Sequence, residues 1–336
     1  MTQTFEIAVI GATGTVGETL VQILEELEFP VGTLYLLAGS NSAGASVPFR
    51  GKNVRVKEVD TFDFSKVQLA FFAAGPAVTL SFAPRATAAG CAVIDLSGAL
   101  PAEQAPQVVP QANAHVLKAL KKPFQLGSPS PCATYLAVVL APLRSVVDIQ
   151  RVSVTANLAI SAQGREAVSE LARQTAELLN VRPLEPAFFD RQVAFNLLAQ
   201  VGTPDAQGHT ALEKRLVHEL RAVLETPLLK ISATCVQAPV FFGDSLTVSL
   251  QLAAPVDLAA VNRALEAAPG IELVEEGDYP TAVGDAVGQD VVYVGRVRAG
   301  IDDPAELNLW LTSDNVRKGS ALNAVELAQL LIKGLV

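Results

Sequence analysis

The residues with the clearest capacity for chemistry are a glycine-rich run near the start of the chain and a cysteine near its middle. Gly11-Ala12-Thr13-Gly14-Thr15-Val16-Gly17 directly follows the apolar run Ile7-Ala8-Val9-Ile10 and opens a helical pattern. The spacing Gly-x-x-Gly-x-x-Gly is a variant of the dinucleotide fingerprint. Small residues let the backbone approach a pyrophosphate, and the helix N-terminus offers it N–H groups. The plainer alternative is a glycine turn that only packs a helix on a strand. Cys132 stands in Gly127-Ser128-Pro129-Ser130-Pro131-Cys132-Ala133-Thr134, just before an apolar helix expected over Tyr135 to Leu143. A thiol at a helix N-terminus can have a depressed pKa and act as a nucleophile. The alternative here is a small buried residue in a proline-stiffened turn. Cys91 and Cys235 lie in strand-like apolar stretches and read as core.

A dinucleotide site also needs a ribose contact, commonly an acidic residue after the second strand. This chain reads Ala38-Gly39-Ser40-Asn41-Ser42-Ala43-Gly44 there. Ser40 and Ser42 would not repel a 2′-phosphate, so NADP is somewhat favoured over NAD, but the loop holds no Arg to bind one. The preference between NADP and NAD stays open.

The elements that must position these groups follow from periodicity. Ile7–Ile10, Leu34–Ala38, Gln68–Ala74 and Ala92–Leu96 read as buried strands. Helical patterns lie between them over Glu18–Leu27 and Leu80–Gly90. Strand–helix–strand alternation predicts an α/β fold with a Rossmann-type parallel sheet. Beyond Cys132 the pattern changes to that of an α+β domain. Strand-like runs span Arg151–Ser161, Ile231–Gln237, Leu246–Leu252, Val291–Val297 and Leu307–Leu311. Helices are expected over 165–179, 211–224, 256–267 and 318–336.

Composition narrows the function classes. Of 336 residues, 50% are hydrophobic, enough for a large core, and no low-complexity linker interrupts them. A net charge of −9 argues against nucleic acid or an anionic membrane as partner. Three Cys exclude a dense disulfide framework and fit a reducing compartment; three His leave little room for a metal site, and none is expected. The start lacks a basic leader. The uncharged stretch Val67–Pro84, 18 residues long, is broken by Gly75-Pro76 and reads as strand, turn and helix, not a membrane span. A cytoplasmic protein is expected.

Further residues complete a family pattern. They are Ser42-Ala43-Gly44, Ala73-Ala74-Gly75 after a strand, Val109-Pro110-Gln111-Ala112-Asn113, Ala194-Phe195-Asn196 and Ser232-Ala233-Thr234-Cys235-Val236. The most specific is the long run Asp314-Asn315-Val316-Arg317-Lys318-Gly319-Ser320-Ala321-Leu322-Asn323-Ala324-Val325. With the glycine turn and Cys132, these make the chain resemble the aspartate-semialdehyde dehydrogenase family over essentially its whole length. The resemblance implies an NAD(P)-binding domain of residues 1–131 and 316–336, and an inserted α+β dimerisation/substrate domain of residues 132–315. It implies a homodimer and a cofactor site formed by Gly11, Thr13, Gly14, Thr15, Val16, Gly17, Ser40, Ser42, Ala74, Gly75 and Asn323. The family reaction is reductive dephosphorylation of β-aspartyl phosphate with NADPH. A Cys attacks, a His manages the proton, a Gln orients the reacting group, and cations hold the substrate carboxylate and phosphate.

Matched to that pattern, Cys132 takes the nucleophile position, with Pro131 where Asn is usual. The His slot holds Asp244, within Pro239-Val240-Phe241-Phe242-Gly243-Asp244-Ser245. The carboxylate-binding Arg slot, seven residues earlier, holds Gln237. The orienting Gln falls at Leu158, and Glu326 replaces a Gln expected near the nicotinamide. No cation follows Asp95 in Leu96-Ser97-Gly98-Ala99-Leu100-Pro101, whereas Arg215 is a candidate for the phosphate-binding Lys.

An Asp with its usual pKa of ~3.9 holds almost no proton at pH 7, unlike a His near ~6.5. An ionised Asp244 is expected here, and it would disfavour the Cys132 thiolate. Three readings follow. The first is a family member that binds NAD(P) and dimerises but has lost efficient turnover. The second is an active NADP-dependent aldehyde dehydrogenase using Cys132 on a small aldehyde or acyl phosphate. The third is an interaction protein without nucleotide.

Overall fold

A computed structural model describes residues 3–335; Met1, Thr2 and Val336, the last residue of the expected C-terminal helix, lie outside the described residues. The chain divides into two compact units, Met1–Ser130 with Ser320–Val336, and Pro131–Gly319.

In the first unit the strands are β1 (Phe5–Ile10), β2 (Val31–Ala38), β3 (Ser46–Phe49), β4 (Lys52–Glu58), β5 (Leu69–Phe72), β6 (Ala92–Asp95) and β7 (Gln125–Gly127). They form one sheet in the order β3-β4-β2-β1-β5-β6-β7, parallel throughout except for β3, which runs antiparallel to β4. The helices are α1 (Thr15–Glu26), α2 (Pro76–Ala88) and the short α3 (Pro110–Asn113). The last helix of the chain, Asn323–Leu335, also belongs to this unit. Side-chain alternation along the strands sorts the core onto the two faces. Val9, Leu36, Phe71 and Ile94 pack with Leu20 and Leu24 of α1 and with Leu327 and Leu331. Ala8, Leu37, Phe72 and Val93 pack with Ala83 and Ala86 of α2. β1 pairs in parallel with β2 on one side and β5 on the other, so strand order reverses beside β1. Ligands of open α/β sheets bind beyond the strand C-termini at such a reversal.

The parallel sheet agrees with the sequence reading, with two corrections. The hairpin β3–β4 was not foreseen, because β3 is only four residues long and β4 lies mostly exposed. Its turn is Arg50-Gly51, both at positive φ, the geometry that a two-residue hairpin connection requires. The helix expected from Leu80 begins at Pro76, since a proline at the first helical position gives up an N–H that would have no partner anyway.

The second unit holds α4 (Pro131–Leu143), β8 (Ile149–Leu158), α5 (Arg165–Leu179), α6 (Ala211–Val223), β9 (Lys230–Gln237), β10 (Asp244–Leu252), α7 (Leu258–Glu266), β11 (Ile271–Leu273), β12 (Val292–Ala299) and β13 (Glu306–Ser313); Asn323–Leu335 is α8. Its mixed sheet has the order β11-β12-β13-β10-β8-β9. One face buries Val152, Val154, Leu246, Val248, Leu309 and Leu311, and α4, α6 and α7 pack in this unit against its strands and each other. The opposite face carries Thr155, Thr247, Ser232 and Thr234 in exposed positions, with Ser249 and Trp310 half-buried. Among the described residues no helix is long and apolar enough to cross a membrane, and no group of three His, Cys, Asp or Glu is arranged to hold a metal.

Candidate active site

The glycine turn lies in the first unit between β1 and α1. Gly11 has φ +83°, and a Cβ there would overlap the carbonyl oxygen of Ala73. A Cβ on Gly17 would overlap the carbonyl oxygen of Gly11. Both positions therefore require glycine, one for the turn and one for close approach of helix and strand. Gly14 caps α1 and Gly75 caps α2, and neither supplies a side-chain hydrogen bond to the first N–H groups of its helix. Two helix N-termini thus stand at the ends of the adjacent strands β1 and β5 with their first donors available to an anion. Nothing lies within 4 Å of where a Cβ on Gly75 would sit. Thr13, Thr15, Val16 and Ala74 are half-buried, Ser40 is exposed and Ser42 half-buried.

Asn323 opens α8 fully buried. Its Nδ2 donates to Ser128 Oγ (2.8 Å) and Val108 O (3.3 Å), while its Oδ1 has no hydrogen-bond partner. A buried orphan acceptor costs free energy unless a ligand donor meets it. Glu326 accepts from Gln111 Nε2 at 3.0 Å. The open glycine cradle and the orphaned Asn323 oxygen both fit a dinucleotide with a carboxamide end.

The cysteine lies in the second unit. α4 starts at Pro131, not Tyr135, so Cys132 sits inside its first turn. A helix N-terminus favours a thiolate by a fraction of a kcal/mol up to ~2, but Cys132 is only 6% exposed. Burial pushes its thiol pKa well above the ordinary range, and Asp244 pushes it further in the same direction. The thiol donates to Asp244 Oδ2, with Sγ–Oδ2 3.8 Å. Asp244 Oδ1 accepts from Ala159 N at 2.8 Å. Asp244 is the first residue of β10, aimed inward by the turn at Gly243 (φ +86°), whose N–H donates to Asn315 Oδ1 at 3.0 Å.

The ionised Asp244 expected from sequence is corrected by burial. The residue is 1% exposed, and desolvation raises its pKa to about 7 despite the bonds from Ala159 N and Cys132; Asp314 pushes it the same way. Near neutral pH the carboxyl is therefore partly protonated.

The other slots are filled by structural groups. Gln237, 1% exposed, donates from Nε2 to Leu158 O (2.7 Å) and accepts on Oε1 from Gln163 Nε2 (2.5 Å). Its amide is committed within the fold. Leu158 is buried and apolar. Arg215 pairs with Glu219 at 2.7 Å along α6. Glu213 accepts from Thr210 N (2.8 Å) and Cys235 N (3.1 Å), which makes it a helix cap and a strand anchor. Asp95 accepts from Ser97 N, Ser97 Oγ and Leu100 N, so it fastens the cation-free loop 96–101. The structure thus brings Cys132 and Asp244 together. It also adds Tyr135, which sequence reading passed over. Tyr135 follows Cys132 by one helical turn, fully buried, with a hydroxyl that has no hydrogen-bond partner. The i, i+3 spacing in α4 was the available signal. Cys235 and Cys91 are buried, with thiols pushed up to about 12, as core cysteines should be.

Comparison with known proteins identifies both parts of the chain. A family profile described as the semialdehyde dehydrogenase NAD-binding domain matches residues 6–120, and one described as the dimerisation domain matches residues 140–318. The chain is 60% identical over 333 residues to a USG-1 protein homolog of Azotobacter vinelandii, with 99% of each chain covered. It is 40% identical over 334 residues to aspartate-semialdehyde dehydrogenase 2 of Vibrio cholerae, again with 99% of each covered. Among solved structures, a probable aspartate-semialdehyde dehydrogenase from Pseudomonas aeruginosa matches with TM-score 0.97 at 58% identity, covering 99% of this chain and 100% of that one.

Proposed function

The chain belongs to the aspartate-semialdehyde dehydrogenase family, and from that premise we propose that it binds NAD(P) and dimerises while turning over aspartyl phosphate poorly. We assign the nucleotide to the first unit, held by Gly11, Thr13, Gly14, Thr15, Val16, Gly17, Ser40, Ser42, Ala74, Gly75 and Asn323. When bound there, NAD(P)H supplies the hydride of the family reaction. We assign dimerisation to the second unit, whose exposed sheet face, rich in Ser and Thr, suits a second copy of the same face. Three free cysteines support a reducing, cytoplasmic setting.

The observation that carries the reading is the Cys132–Asp244 pair. Attack on an acyl phosphate needs a thiolate. An imidazole that takes the thiol proton leaves opposite charges side by side, which stabilise each other. A carboxylate that takes it only moves one negative charge from oxygen to sulfur, and here it moves onto a sulfur whose pKa is already raised. The substrate anions also lose support, since Gln237 is neutral and bonded internally and no cation follows Asp95. Each missing charge-assisted contact forgoes about 1.5–3 kcal/mol.

One observation favours a second reading, an active NADP-dependent aldehyde dehydrogenase. The pKa of Asp244, at about 7, suits a group that takes and returns protons near neutrality. The test is an assay with aspartate semialdehyde, inorganic phosphate and NADP or NAD, with nucleotide binding followed in parallel. The proposal expects binding with little or no turnover. Turnover at ordinary enzyme rates that Cys132→Ser abolishes would overturn it in favour of the second reading. Absence of both binding and turnover would leave only an interaction protein.

A further inference from the structure

The side chains beside the Cys132–Asp244 pair are poor donors. Pro131 has no N–H to give. Leu158 is buried and apolar, next to the Ala159 whose N–H holds Asp244 Oδ1. The Gln237 Nε2 is spent on Leu158 O. Tyr135 is the exception. A Cβ placed on Gly319 would lie 2.5 Å from Tyr135 Oη and 2.6 Å from Pro131 Cβ, so the hydroxyl and the first residue of α4 meet at one point. Long side chains in a helix lean toward its N-terminus, which is how a tyrosine one turn into α4 returns its oxygen to the turn that holds Cys132. The ring is fully buried, and among the described residues the hydroxyl has no hydrogen-bond partner. Burial first, then Asp244, Cys132 and Asp314, oppose its ionisation, so the proton stays on the oxygen. A buried donor left unmet costs about 1–3 kcal/mol. A phenylalanine would fill the same space without that cost.

We propose that Tyr135 Oη donates to the carbonyl oxygen of a group attacked by Cys132, and so replaces from α4 the polar contact that Leu158 no longer makes from β8. The inference rests on Cys132 being the nucleophile. It adds a catalytic residue and a ligand class, small carbonyl compounds, since Gln237 offers no cation for an anionic tail. In the step, the Sγ proton passes to the Asp244 carboxylate and sulfur bonds to the carbonyl carbon. The C=O π pair moves onto an oxygen held by Tyr135 Oη–H. When that pair returns, the bond to the leaving group breaks and takes its electrons with it. A donor aimed at that developing charge, in a site closed to water, acts on the barrier more than on binding.

The test compares wild type, Tyr135→Phe and Cys132→Ser with two thiol probes. p-Nitrophenyl acetate acylates the thiol through a carbonyl and releases p-nitrophenolate. Methyl methanethiosulfonate converts the same thiol to a disulfide and has no carbonyl. Mass spectrometry locates each label. Tyr135→Phe should slow acylation of Cys132 at least ~10-fold. Its disulfide rate should stay within about twofold of wild type, and its melting temperature should be unchanged or higher, because the unmet donor is gone. Equal slowing with both probes, a lower melting temperature or unchanged acylation would overturn the proposal and leave the hydroxyl a packing role. So would a wild type that forms the disulfide at Cys132 but is not acylated there. If Cys132 of the wild type reacts with neither probe, or if Cys132→Ser releases p-nitrophenolate as fast, the nucleophile assignment itself fails and this inference falls with it.

Discussion

Cys132 Sγ lies 3.8 Å from Asp244 Oδ2, a buried thiol facing a buried carboxyl. Asp244 raises the thiol's cost of ionising, the thiol's hydrogen bond lowers that of the carboxyl, and burial raises both. The pair can hold a single negative charge near neutral pH, and that charge resides on oxygen.

The first prediction concerns stability against pH. Asp244 has a pKa of about 7 in the folded chain and ~3.9 when unfolded. Between those values the folded state binds more protons, so stability falls as pH rises from about 4 to about 7 and is level above that. The loss is on the order of a few kcal/mol. Asp244→Asn should remove this component. Melting temperatures of the two proteins, measured from pH 4.5 to 8.5, should separate as pH rises, wild type falling relative to the variant; curves that stay parallel would disprove the assignment. Asp205, with its pKa lowered to about 2 by Lys214, acts only at far lower pH and cancels in the difference.

The second concerns the thiol. At pH 7.5, iodoacetamide should modify Cys132 at least ~10-fold more slowly than free cysteine, because little thiolate forms. Asp244→Asn should speed the reaction, though not to the free rate, since burial is the larger cause. Mass spectrometry of the alkylated peptide reads this directly. Modification faster than free cysteine would show that Cys132 is activated.

The third separates folding from binding within the glycine turn. Gly11→Ala forces a Cβ onto the Ala73 carbonyl at φ +83°, and should cost several kcal/mol in urea denaturation. Gly75→Ala meets nothing within 4 Å and has φ −66°, so its stability should stay within ~1 kcal/mol. Its methyl group enters the space assigned to the nucleotide, and NADPH affinity should drop.

The fourth tests the bystander role of Glu213. Glu213→Ala removes acceptors for Thr210 N and Cys235 N and should cost ~1–3 kcal/mol. NADPH affinity should not change. A selective change in nucleotide or substrate affinity with intact stability would contradict the structural role.

The fifth concerns restoration. Gln237→Arg places a guanidinium where a fully engaged amide is 1% exposed, and should destabilise by about 3 kcal/mol or more. The combination Asp244→His, Gln237→Arg and Leu158→Gln should therefore melt below wild type. A combination that keeps wild-type stability and gains turnover would show that only these three groups are missing.

The sequence made the glycine turn legible because Gly11 and Gly17 answer local backbone demands that no other residue meets. The Cys132 helix was legible one turn late, since Pro131 was read as a stiffener rather than as the first helical residue. The Asp244 slot followed from family motifs, but its protonation could not. That depends on how completely β8, β10 and α4 exclude water around it, a sum over residues distant in the chain. Gln237 was visible as a replacement, while its bonds to Leu158 and Gln163 required the strand pairing.

The first unit takes its core from both ends of the chain: Leu327 and Leu331 of α8 close the same face that Val9 and Leu20 open. A ribosome delivers those parts in order, with the whole of Pro131–Gly319 between them. The second unit has all of its strands before α8 emerges. It can fold while the first unit still lacks a wall, so the later-encoded body matures first. Until α8 is delivered, that apolar face lies open on the nascent chain.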